Sequence, residues 1–119
     1  MIEIVAAQPT FTANIYLGLK EGYEGTTHAI EEVILFCRDY CDEVKLGVTV
    51  TPTYFVYVGG YEPGAIIGLI QYPRFPKDEG YISSTALELA EKLRIHFNQE
   101  RLSVAFPDTT VMLEGGNNE

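Results

Sequence analysis

TVTPTYFVYVGGYEPGAIIGLIQYPRFP, residues 49–76, decides how the whole chain is read. Both halves are rich in β-branched and aromatic residues and a glycine-rich segment divides them, which is the composition of a long hairpin. Val48, Thr49, Val50 and Thr51 alternate as a strand does; Pro52 is expected to interrupt the ladder and residues 53–58 to resume it. Gly59-Gly60 and Pro63-Gly64 bracket Tyr61 and Glu62, which predicts a turn wider than a two-residue loop. Residues 65–70 are apolar on both faces around Gly68, so that strand is central in its sheet or pressed against another subunit.

Before the hairpin, Ile15, Leu17 and Leu19 alternate with Tyr16, Gly18 and Lys20, a strand with one buried face. Residues 1–12 precede it as an arm or edge strand, and residues 13–114 form a single α+β domain. Ile30, Val33, Ile34, Cys37, Cys41 and Val44 are three and four apart and predict a helix with Thr27 as its N-cap. After the hairpin, Ile82, Ala86, Leu89, Ala90, Leu93 and Phe97 predict a second helix, which the capping-box spacing of Thr85 and Glu88 starts near Thr85 and Asn98 ends. Residues 101–106 and 109–113 form a last hairpin about Pro107-Asp108, and 115–119 read as a frayed, disordered tail. The order matches a ferredoxin-like βαββαβ antiparallel sheet with two helices on one face and an extra C-terminal hairpin. One layer of two helices covers one sheet face only. Phe55, Tyr57, Ile66 and Ile70 therefore need a second cover, which predicts a homo-oligomer.

Eight Lys and Arg against seventeen Asp and Glu leave a net charge of -9, a surface that opposes long nucleic acid and anionic membranes. A small anion needs only two or three aimed arginines and stays possible. The start of the chain lacks a basic region followed by a long apolar run, so neither a signal peptide nor a membrane span is expected. Cys37 and Cys41, one helical turn apart, read as free thiols in a reducing cytoplasm, the host cytoplasm if the gene is a phage's. Neither His28 nor His96 stands at a metal-ligand spacing from them, and no cofactor or metal is expected.

No phosphate loop or nucleophile elbow is present, and no catalytic residue is assigned; the expectation is a protein that is not an enzyme. His28 and His96 read as capping or surface residues. Binding is better served. Tyr72, Arg74 and Phe75 lie in a proline-stiffened corner and could stack on a base and pair with phosphate, or could equally be strand-end core and surface charge. Arg94, Asn98 and Arg101 could converge there. Tyr54, Tyr57 and Tyr61 read as fillers of the sheet face rather than a pocket lining. A second anion site is possible in the 20–27 loop, where Lys20, Gly22, Gly25 and Thr26 lead into a helix N-terminus, although Glu21 and Glu24 oppose it.

The blocks IYLGLKEGYEG (15–25), LGVTVTPTYFVYVGGYEPGAIIGLIQYPRFP (46–76) and ALELAEKLRIHFNQERLSVAFPDTTVML (86–113) resemble the first type of phage Thoeris anti-defence nucleotide sponges. That resemblance implies a non-enzymatic phage protein that captures a cyclic ADP-ribose isomer without cleaving it. Some family members also hold cyclic oligonucleotides at separate sites and assemble from dimers into hexamers. Carried to this chain, Phe75 would stack on the base, Arg101 with Arg74 would grip the pyrophosphate, and the 20–27 loop would be the second nucleotide site, with Lys20 its only cation. Two other readings stay open: an acidic interaction module that blocks a host protein, and a ferredoxin-like small-ligand regulator.

Overall fold

The computed structural model describes residues 1–22, 25–74 and 76–115. Seven elements follow one another: β1 (Thr12–Gly18), α1 (Ile30–Val44), β2 (Thr49–Tyr57), β3 (Gly60–Ile70), α2 (Glu79–His96), β4 (Arg101–Ala105) and β5 (Thr110–Glu114). The sheet runs β2-β3-β1-β4-β5 with every pairing antiparallel. The expected α+β, ferredoxin-like plan is therefore the observed one, with β5 added at the far edge.

The period-two pattern of β1 puts Ala13, Ile15 and Leu17 on the helix side, where Ala65, Ile67 and Leu69 of β3 and Leu102 and Val104 of β4 meet them. Val33, Cys37 and Tyr40 of α1 and Ile82, Ala86, Leu89, Ala90 and Leu93 of α2 close this core from above. The stripe expected on α2 is buried as read, and Phe97 completes it. The stripe on α1 is rotated: Ile34 is 46% exposed, whereas Tyr40 is buried and its hydroxyl donates to Glu88 Oε1 at 2.6 Å. A phenol can enter a core when a carboxylate from the facing helix accepts its proton, and apolar spacing alone does not see that partner.

Four local expectations are corrected. The hairpin turn is the pair Val58-Gly59, with Gly59 at φ 87°, so the wider turn dissolves and Glu62, Pro63 and Gly64 lie inside β3. Pro52 does not break β2, because β2 is the edge strand and a missing N–H is tolerated there. Gly64 has a packing reason: a Cβ there would strike the Phe55 ring and come within 2.9 Å of the Leu17 carbonyl oxygen. The helix starts also differ. Asp78 caps α2 by accepting from Tyr81 N at 2.7 Å, seven residues before the expected Thr85. The first residue before α1 is Ala29 rather than Thr27, and Glu32 reaches back to accept from its N–H at 2.7 Å.

Residues 1–10 are exposed throughout. Of the expected tail, Gly115 donates to the Glu100 carbonyl at 3.0 Å and 116–119 lie outside the described residues. Both cysteines are free, and burial raises the Cys37 thiol to about 12. Among the described residues, no helix is long and apolar enough to cross a membrane.

Candidate functional site

An open recess of ≈ 730 Å³ lies where the C-terminal end of β1, the β2–β3 hairpin and the end of α2 meet. Three segments line it. The 20–27 loop contributes Lys20, Glu21, Gly22, Gly25 and Thr26; the hairpin contributes Tyr57, Tyr61 and Glu62; the α2–β4 junction contributes Asn98, Gln99, Glu100 and Arg101. The junction is held tightly. Asn98 takes a left-handed φ of 52°, which ends α2. Gln99 Nε2 donates to the Lys20 and Phe97 carbonyls, both at 3.1 Å, and so fastens the loop to the helix end. Lys20 and Thr27 form an isolated antiparallel bridge that closes the loop's base.

The recess is acidic. Among the described residues that line it, Glu21, Glu62 and Glu100 stand against the cations Lys20 and Arg101. Arg101 is already engaged, with Nε donating to Glu114 Oε2 at 3.0 Å and the guanidinium 3.6 Å from Glu100, contacts that hold its pKa up. Glu21 accepts from Asn98 Nδ2 at 2.9 Å and lies 2.6 Å from His28 Nε2, and these two contacts depress its pKa. Glu62 is half-buried, and among the described residues its carboxylate has no ion-pair or hydrogen-bond partner within the chain. Tyr57, 50% exposed, shares its sheet face, whereas Tyr61, 70% exposed, points to the other face and meets the Tyr54 ring with centroids 6.0 Å apart. A cavity with unspent carboxylate and aromatic faces suits a cation carrying a planar base better than it suits a polyphosphate.

The candidate residues named from sequence divide between two ends of the sheet. Asn98 and Arg101 meet Lys20, Gly22, Gly25 and Thr26 in this recess, so the two sites expected separately are partly one. Tyr72 lines a different recess of ≈ 760 Å³, with Cys41, Lys45, Leu46 and Lys77. Arg74 is exposed in the same corner, which Gln71 closes by accepting from Lys77 N at 2.7 Å and donating to the Lys77 carbonyl. The register shows the separation: Gly18 pairs with Gly64 beside the first recess and Thr12 with Ile70 beside the second, about 20 Å apart at strand rise. Within one chain Arg74 and Arg101 therefore do not grip one small ligand. Arg94 is not at either surface. It is buried, bonding both oxygens of Glu91 at 2.8 Å and the Gln99 carbonyl at 3.2 Å. Phe75 lies outside the described residues.

Sequence reading missed Glu62 and Gln99, and it took Tyr57 and Tyr61 as fillers of the sheet face where they also line the recess. The signal for Glu62 was the pair of glycines before Tyr61 and Glu62, read as a wide turn instead of a strand start. Gln99 gave no signal, since its role comes from a contact with a carbonyl 79 positions away.

No protein-family model matches the chain, and no curated protein matches it. Two solved structures share its fold across nearly its whole length. A phage SAM lyase in complex with S-methyl-5'-thioadenosine is 17% identical with a TM-score of 0.81, and the match covers 97% of both chains. A phage SAM lyase in the apo state is 19% identical with a TM-score of 0.79, covering 97% of this chain and 96% of that one. The chain thus shares the fold of phage SAM lyase, and the resemblance to Thoeris sponges finds no counterpart in these matches. The expectation that the chain is not an enzyme is overturned by the same matches, since both are structures of an enzyme.

Proposed function

We propose that the acidic recess binds S-adenosylmethionine and that the protein is a lyase releasing S-methyl-5'-thioadenosine. The observation that carries this is the unpaired Glu62 carboxylate on the same sheet face as Tyr57, lining a recess on a fold shared with SAM lyase. The substrate has two cationic groups, an α-ammonium and a sulfonium. Carboxylates and aromatic faces attract both, and Asn98 offers donor and acceptor to the adenine edge. Among the described residues that line the recess Arg101 is the one guanidinium, and its contacts with Glu114 and Glu100 weaken its hold on the substrate's own carboxylate.

That weakened hold is chemically useful. Glu62 would hold the ammonium, and the repelled substrate carboxylate is left free to attack its own Cγ. The new C–O bond closes a five-membered lactone as the S–Cγ bond breaks, and the bond's electron pair passes to sulfur, which leaves neutral as the thioether. No water, metal or external base is consumed. The protein's work is to hold a folded conformer, an entropic contribution.

The test is direct. Purified protein is incubated with S-adenosylmethionine and the products are separated by mass spectrometry. S-methyl-5'-thioadenosine forms, and Glu62→Gln lowers kcat/KM about a hundredfold, roughly 2.7 kcal/mol. Absence of turnover together with absence of S-methyl-5'-thioadenosine binding would sink the reading.

Sequestration of a cyclic ADP-ribose isomer is the second reading, favoured by Lys20, Asn98 and Arg101 sharing one recess. It ranks lower because three carboxylates face those groups and Arg74 lies at the other end of the sheet. Recovery of an intact cyclic nucleotide from heat-treated complexes would favour it. We also propose self-association through the sheet face opposite the helices, where Phe55, Ile66 and Met112 have no cover from the chain's own helices and Met112 is 60% exposed. Sedimentation should then show an oligomer, and a monomer would refute it.

A further inference from the structure

One imidazole stands between two carboxylates at the mouth of the recess. His28 Nε2 lies 2.6 Å from Glu21 Oε2, and Nδ1 lies 3.1 Å from Glu32 Oε1. Both carboxylates spend their other oxygens elsewhere: Glu21 Oε1 accepts from Asn98 and Glu32 Oε2 accepts from the Ala29 N–H. The ring's edge meets Phe97 with centroids 5.0 Å apart, and the side chain is 15% exposed. His28 N also donates to the Leu19 carbonyl at 2.7 Å, which places the ring between the loop, the start of α1 and the end of α2.

An ionised carboxylate only accepts, and a neutral imidazole has a single N–H. The observed pair of contacts is therefore complete only when both ring nitrogens carry protons. We infer that His28 is a positioning residue for the recess: its imidazolium holds Glu21, and through Glu21 also Asn98, at the lip of the ligand site. This rests on the proposed function, since Glu21 and Asn98 line the recess assigned to the adenosyl ligand.

The charged groups around the ring come from every element packed on it. Glu21 belongs to the loop and Glu32 to α1; Lys20 lies beside Glu21 in the recess wall. From α2 comes His96, whose ring contacts Phe36 and Phe97 and whose charge favours ionised Glu32. Burial against Phe97 works against the charge on His28, but the hydrogen bonds to Glu32 and Glu21 outweigh it and raise the pKa above 6.5. The clamp is thus complete below the raised value and loses one bond as pH rises through it.

Two measurements test this. In the ligand-free protein, long-range proton–nitrogen NMR of the ring should show both nitrogens protonated at about pH 6. The amides of residues 20–22 and 25–27 should move with the same midpoint as the ring. A ring midpoint at or below 6.5, or loop amides indifferent to it, overturns the inference. Calorimetry with S-methyl-5'-thioadenosine is the second measurement. Affinity should fall about tenfold between about pH 6 and about pH 9. In His28→Gln it should already be weak at the lower pH and show no slope; a slope retained in that variant overturns the inference. If the nucleoside binds at no pH, the ligand assignment fails, and the NMR titration alone decides the role of His28.

Discussion

Replacing Arg94 separates a structural guanidinium from a ligand-binding one. Its side chain is 6% exposed, forks onto both oxygens of Glu91 and donates a third bond to the Gln99 carbonyl. Arg94→Ala removes the aliphatic stem, leaves that carbonyl short of a donor and opens a void under the α2–β4 junction. Removing one partner of a fully buried pair costs about 3–5 kcal/mol. Glu91 keeps 47% of its side-chain exposure and regains water, so the expected loss is smaller, roughly 2–3 kcal/mol. Arg94→Met keeps most of the stem and should lose about half as much. At the size of this domain each kcal/mol moves the melting temperature by about 4 °C, so thermal and urea unfolding resolve the two variants. Once folded, both should bind S-methyl-5'-thioadenosine within about twofold of the unsubstituted protein, a small effect through Gln99. A variant of undiminished stability that has lost the ligand would refute this account and return Arg94 to the site.

Gly64→Ala forces the Phe55 ring off its seat and crowds the Leu17 carbonyl, so a loss of about 1–3 kcal/mol in urea unfolding is expected; an unchanged midpoint would show that the hairpin packs otherwise. Tyr40→Phe removes one hydrogen bond to Glu88, which is exposed and regains water, so a loss of about 1 kcal/mol in urea unfolding is expected; an unchanged midpoint would show that the bond contributes nothing. Cys37, raised to about 12, should resist a thiol reagent in the native protein near neutral pH and react at the rate of global unfolding; fast labelling would contradict its burial. The pH dependence of stability has a definite sign. Glu21 and Glu32 are depressed below 4.5, so their contribution is present above that value and fades as acid protonates them. His28 is raised above 6.5, so its contribution is full below 6.5 and fades as base removes its proton. His28→Ala should therefore destabilise more at about pH 6 than at about pH 9, as denaturant titrations at the two values can measure.

The alternation in β1, the apolar run of β3 and the three-and-four spacing of α2 set the fold class in the linear chain, because each pattern buries one face only in one kind of element. The acid excess likewise argues against a polyanion before any coordinate is known. Three things needed the folded molecule. Whether Pro52 breaks a strand depends on β2 being an edge, and edge position is a property of the sheet. Whether Arg94 reaches a ligand depends on which side of α2 the core covers. Whether Tyr72 and Arg74 share a pocket with Asn98 and Arg101 depends on the β1–β3 register, which sends the two groups to opposite ends of the sheet. Local sequence specifies faces and periods, since those arise from the backbone a few residues at a time. A binding site joins residues nearly 80 positions apart, as Glu21 and Asn98 are, and only the packed sheet brings such residues within a hydrogen bond of each other.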